Sequence, residues 1–138
     1  MSIDKIFLDA NILFSMAYGS LGLERLWELS QKGRCVLLAS GFVIDEAKRN
    51  LIEAHQLQRL EACLSDVQLV LEADPTIKCP LDLPDKDRPV FMAAVYAKAN
   101  YLITGDITHF GKYFGRTIVG VNVCMLRDYL KSVQEVFP

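Results

Sequence analysis

Two apolar runs that lead into an aspartate set the pattern of this chain. The first reads Ile6-Phe7-Leu8 and then Asp9. The second reads Tyr101-Leu102-Ile103, followed by Thr104, Gly105 and Asp106. Short apolar runs bounded by polar residues predict buried strands, here over 4–9 and 101–104. Leu21, Leu23, Leu26, Trp27 and Leu29 recur at helical spacing and predict an amphipathic helix over 20–31, stopped by Gly33. A second strand over 35–39 leads to Ser40, the expected N-cap of a helix over 41–53. A helix over 56–65 and a strand over 67–71 follow. Residues 72–86 carry Pro75, Pro80 and Pro84 and read as loop. The next helix, over 88–99, takes Pro89 into its first turn, where a missing N–H is tolerated. A short strand over 117–119 and a closing helix over 125–136 complete the chain. Strands alternating with helices predict a three-layer α/β/α sandwich around a mostly parallel sheet.

Composition narrows this picture. A chain of 138 residues, 51% hydrophobic, suits one domain over 1–138 with one core. A formal net charge of −2 carries no basic footprint of the kind that marks many nucleic-acid binders, although local clusters act on a neutral background. The four cysteines are scattered without a C-x-x-C pair, which argues against zinc and for a reduced, cytoplasmic chain. The N-terminus shows no signal-peptide pattern, and no apolar run is long enough for a membrane span. A mean hydropathy of +0.21 is high for a small monomer and predicts apolar surface covered by a partner or a second copy.

Among 17 acidic residues, position does the selecting. A carboxylate directly after a buried strand is costly unless something positive meets it. In open parallel sheets, ligands bind at the carboxyl ends of the strands. In the helix after Ser40, Phe42, Val43, Ala47 and Leu51 form the buried stripe. Glu46 lies on its edge with Asn50 one turn on, while Asp45 points toward solvent. Asp87 begins the Pro89 helix and Asp85 precedes it by two, so an acid at this helix start can face the same edge. Four carboxylates in one cleft raise each other's pKa values. A hard divalent cation, Mg²⁺ or Mn²⁺, resolves that conflict and suggests chemistry on phosphate. Each acid also has a plainer role: a helix cap for Asp85 or Asp87, a solvated position for Glu46, local turns for Asp9 and Asp106. Basic residues flank each motif: Lys48 and Arg49 beside Glu46, Lys86 and Arg88 beside Asp87, Lys112 and Arg116 after Asp106. Such residues position a phosphate backbone. His109, three residues after Asp106, either touches substrate or packs locally.

Taken together, Asp9-x-Asn11 after an apolar strand, Glu46 in a helix, Asp87 before Ala93-Ala94, and Tyr101-Leu-Ile-Thr-Gly-Asp-Ile-Thr-His-Phe110 resemble a PIN domain over nearly the whole chain. The likeness is closest to VapC-like toxins of toxin–antitoxin pairs. It implies a metal-dependent endoribonuclease in which Asp9, Glu46, Asp87 and Asp106 form the acidic set, supported by Asn11 and Thr104. The interval to Asp106 favours Asp87 over Asp85 as third acid, with both left open. Lys48, Arg49, Arg88 and His109 become substrate-binding candidates. The resemblance further implies an RNA substrate, an antitoxin and a homodimer. Haloacid-dehalogenase-type phosphatases want a second aspartate where this chain has Asn11. Receiver domains want a lysine that residues 117–123 lack. An inactive PIN-like scaffold or RNA-binding domain is the remaining alternative.

Overall fold

The computed structural model describes residues 3–136. Its strands are β1 (Asp4–Leu8), β2 (Cys35–Ser40), β3 (Val67–Val70), β4 (Tyr101–Ile103), β5 (Thr117–Ile118) and β6 (Val121–Cys124). They form one sheet in the order β3-β2-β1-β4-β6-β5. All neighbours run parallel except β5 and β6. The helices are α1 (Ala10–Tyr18), α2 (Leu21–Gln31), α3 (Gly41–Arg49), α4 (Ala54–Leu64), α5 (Arg88–Tyr96), α6 (Ile107–Phe110) and α7 (Leu126–Val136). A 3₁₀ turn spans Gly111–Tyr113.

In β1, Ile6, Phe7 and Leu8 are all 0% exposed. Successive strand residues point to opposite faces, so helices must cover both faces of the sheet centre. That is the expected three-layer α/β/α arrangement. Phe7, Leu38 and Leu102 from the sheet pack in one core with Leu13, Leu26, Leu60 and Phe91 from the helices. Strands β1 to β3 step outward in one direction from β1, while β4 and β6 lie on its other side. The junction of β1 and β4 is therefore a topological switch point, where the carboxyl ends of parallel strands open a crevice.

The structure corrects the sequence reading in five places. Residues 10–18 form α1, a helix the N-terminal strand pattern did not include. Its buried Ile12, Leu13, Met16 and Ala17 follow helical spacing, and Gly19, at φ 96°, ends it. The short strand expected over 117–119 is β5, but the strand that follows it, β6, was not expected, and it is β6 that joins the sheet in parallel. Val119 and Gly120, at φ 50° and 81°, form the tight turn that folds β5 back antiparallel. The helices expected to reach 53 and 99 stop at Arg49 and Tyr96. Asn50 Nδ2 turns back onto the Glu46 carbonyl at 3.0 Å, and Lys98 takes a left-handed φ of 58°.

The fifth correction is at Ser40. It occupies the N-cap position of α3, but its hydroxyl makes no capping bond and is buried without a partner. The cap comes from Glu72, whose Oε2 accepts from Phe42 N at 3.1 Å. A carboxylate there also meets the positive end of the helix dipole. Ser40→Ala is thus expected to leave stability within about 0.5 kcal/mol of the parent in urea melts, or to raise it, because it removes an unsatisfied hydroxyl. A loss of about 1 kcal/mol, the usual cost of deleting a cap, would contradict this.

Candidate metal centre

Asp9 follows the last residue of β1, and its backbone N–H donates to the Ile103 carbonyl of β4 at 3.1 Å. This fixes the acid at the switch point. Its Oδ1 accepts from Ala10 N at 2.7 Å, at the start of α1. Its Oδ2 accepts from the Thr104 hydroxyl at 2.8 Å and from Asn11 Nδ2 at 3.2 Å. Asn11 Oδ1 in turn accepts from Gly105 N at 2.8 Å, and Thr104 Oγ1 accepts from Asp106 N at 3.1 Å. Asn11 and Thr104 thus lock the two strand ends together and aim Asp9. Asp9 is only 4% exposed and Thr104 is fully buried. Burial pushes the Asp9 carboxyl above the usual carboxylate range. The Thr104 and Ala10 bonds oppose the shift, and the nearby charges of Asp87 and Glu46 add to it.

Asp106 caps the short α6. Its Oδ1 accepts from His109 N at 3.0 Å, and its Oδ2 lies 2.8 Å from His109 Nδ1. Asp87 sits at the N-cap position of α5 but makes no capping bond. It is 7% exposed, and its Oδ2 accepts no hydrogen bond, although His109 Nδ1 is 2.9 Å away. A single ring N–H at Nδ1 can serve only one of these two carboxylates. Burial raises the Asp87 carboxyl pKa; His109 and Lys86 oppose the shift, and Asp106 and Glu46 reinforce it. Asp9, Glu46, Asp87 and Asp106 line one cleft of about 360 Å³ together with Asn11, Phe14, Asn50 and Lys86.

Other candidates lie outside this cleft. Asp85 is exposed and pairs with Arg88 at 3.0 Å, while Arg88 Nε donates to the Leu83 carbonyl. Both line a separate hollow of about 660 Å³ between the 72–82 segment and the start of α5. Lys48 pairs with Glu61 of α4 at 2.6 Å, and Arg49 and Asp45 are exposed. The cation that does reach the cleft is Lys86. Phe14 reaches it from α1, and only the helical spacing of residues 12–17 would have pointed there. Asp85→Asn is accordingly expected to keep cleavage within about threefold of the parent, since an exposed pair is worth roughly 0.2–1 kcal/mol. Loss of activity on the scale of an Asp87 substitution would reverse the assignment.

No protein-family model matches the chain, and no curated protein matches it. Among solved structures, a chain in the crystal structure of VapBC2 from Rickettsia felis bound to a DNA fragment from their promoter superposes with a TM-score of 0.61. The match covers 86% of this chain and 96% of that one, at 16% identity.

The chain has a PIN-like fold. At 16% identity the likeness carries the architecture alone, so the fit of a cation to this PIN-like cleft rests on its own atoms. The donors are carboxylate oxygens, which hard divalent ions prefer. One of them, Asp87 Oδ2, is buried with unused bonding capacity. Two of the acids are held above their ordinary pKa by burial and mutual repulsion. All three features suit a bound Mg²⁺ or Mn²⁺. Asp87, Asp106 and His109 also offer ligand atoms within 4.8 Å of one another.

Proposed function

We propose that this PIN-like chain, acting as one domain over 1–138, is a divalent-metal-dependent endoribonuclease and the cytoplasmic toxin of a toxin–antitoxin pair. The observation that carries the reading is the convergence of Asp9, Glu46, Asp87 and Asp106 at the β1–β4 switch point, with a buried Asp87 oxygen unsatisfied. These four side chains hold the cation. When bound, Mg²⁺ or Mn²⁺ supplies charge for the phosphate oxygens and lowers the pKa of the attacking water. The chain's own groups do the positioning. Thr104 and Asn11 keep the Asp9 carboxylate aimed from the strand end. Lys86, on the cleft rim, meets a phosphate of the strand. Phe14 opens onto the cleft and packs against Tyr18 with ring centroids 4.8 Å apart and planes tilted by 34°, giving a nucleobase an apolar face beside the acids.

Two further features support a protein partner. Leu69, Leu71 and Tyr96 are 67%, 74% and 59% exposed and border one shallow hollow beside the β3 edge. An apolar surface of this kind suits an antitoxin or a second copy. The structural neighbour was itself solved as the VapBC2 complex on promoter DNA. No helix among the described residues is long and apolar enough to cross a membrane.

The test is direct. The full chain, freed of metal, should leave single-stranded RNA intact, cleave it when Mn²⁺ or Mg²⁺ is added, and stop with EDTA. Persistent inertness with every divalent ion, together with no Mn²⁺ binding by calorimetry, would favour the scaffold reading. A short upstream reading frame encoding a DNA-binding antitoxin would support the toxin role.

A further inference from the structure

His109 sits deeper in the acid cluster than a surface substrate contact requires. It lies one turn beyond Asp106 on α6. Its backbone N–H and its ring both face that carboxylate, at 3.0 Å from Oδ1 and 2.8 Å from Oδ2. The capping bond therefore fixes where the imidazole stands. The same Nδ1 is 2.9 Å from Asp87 Oδ2, and that oxygen belongs to a residue more than nine-tenths buried and accepts no hydrogen bond. An Nδ1–H proton satisfies one of the two oxygens and leaves the other orphaned. In the Nε2–H tautomer, Nδ1 instead presents a lone pair to the point on which Asp87 and Asp106 converge. A cation at that point satisfies both oxygens and the nitrogen together. The His109 side chain is 31% exposed, so the site stays open to ions from solvent.

We infer that His109 is a nitrogen ligand of the cation site, binding through Nδ1 beside Asp87 and Asp106. The inference rests on the metal-dependent reading above. It also sets the metal class. Imidazole nitrogen is a poor partner for Mg²⁺, which prefers oxygen and retains its waters, and a better one for first-row transition ions. The mixed set accordingly prefers Mn²⁺ and later first-row ions to Mg²⁺.

Mn²⁺ is both a ligand and a spectroscopic probe, so the test needs no RNA. Pulsed electron paramagnetic resonance on the full chain loaded with Mn²⁺ should show hyperfine coupling to a directly bound ¹⁴N. His109→Asn places an amide nitrogen near the Nδ1 position and can still donate to Asp106, but that nitrogen does not ligate. In H109N the ¹⁴N coupling should vanish. In His109→Ala, Mn²⁺ affinity by calorimetry should fall at least tenfold, about what even an outer-shell partner is worth, while Mg²⁺ affinity changes less. Bound Mn²⁺ without nitrogen coupling overturns the inference and leaves the nuclease reading standing, as does coupling that survives in H109N. No Mn²⁺ binding by the parent chain overturns both.

Discussion

Asp9→Asn is expected to reduce metal-dependent RNA cleavage by roughly 10³-fold or more, the scale of removing a preorganised charge-stabilising group. The cation-free protein should meanwhile lose less stability than its parent as pH rises toward neutrality. The two effects have one cause. Asp9 is buried at a strand end and faces Asp87 and Glu46, so its folded pKa lies above the ordinary carboxylate value. A carboxyl with a raised folded pKa binds its proton more tightly when folded. Stability is then lost as pH rises through the window between the unfolded and folded pKa values. Asparagine keeps the shape and can accept from Ala10 N, but its amide nitrogen replaces the oxygen that accepts from Thr104 and Asn11, so the removed charge is read as a flatter pH slope rather than as a higher plateau. Asp106→Asn should lose activity similarly, since Asp106 shares the cleft. Initial cleavage rates with Mn²⁺, paired with urea melts in EDTA across pH, measure both halves. An Asp9→Asn protein that cleaves within tenfold of the parent would remove Asp9 from the catalytic set.

The second large effect is stabilisation by the cation itself. At about one hundred times its Kd, Mn²⁺ should add about 2.7 kcal/mol, or roughly 10 °C in Tm for a chain of this size. Asp9 and Asp87 both have raised folded pKa values. In EDTA, stability should therefore fall as pH climbs above the ordinary carboxylate range, and the fall should be smaller in Asp9→Asn. Cation binding requires the ionised carboxylates, so the Mn²⁺ increment should grow over the same rise in pH and fade in acid. Thermal melts across pH, with and without Mn²⁺, read both slopes. A Tm that ignores Mn²⁺ at neutral pH would mean the acids are not a cation site.

Much of this site could be read from the chain because its parts sit at element boundaries. Asp9 and Asp106 are visible as charges after apolar runs, and Glu46 as a polar position on the edge of a helical stripe. What escaped were features made by contact between distant segments. The capping of α3 by Glu72 joins residues 30 apart and left Ser40 with a cap's position but no cap's bond. Arg88 and Lys86 flank Asp87 alike in sequence, yet Arg88 turns away to Leu83 and Asp85 while Lys86 reaches the cleft. The hairpin of β5 and β6 depended on left-handed φ at Val119, which a β-branched residue does not advertise.

The sequence by itself determined the α/β class, the parallel strands β1 to β4 and the acids that end two strands or ride two helices. Apolar periodicity and burial cost are local properties and can be read locally. Only the tertiary structure decided the strand order, and with it the switch point between β1 and β4 where those acids meet. It separated Asp87 from Asp85 by burying one and leaving the other in solvent. It also brought His109 against two carboxylates at once, because a short capped helix aims a ring that no spacing rule could aim.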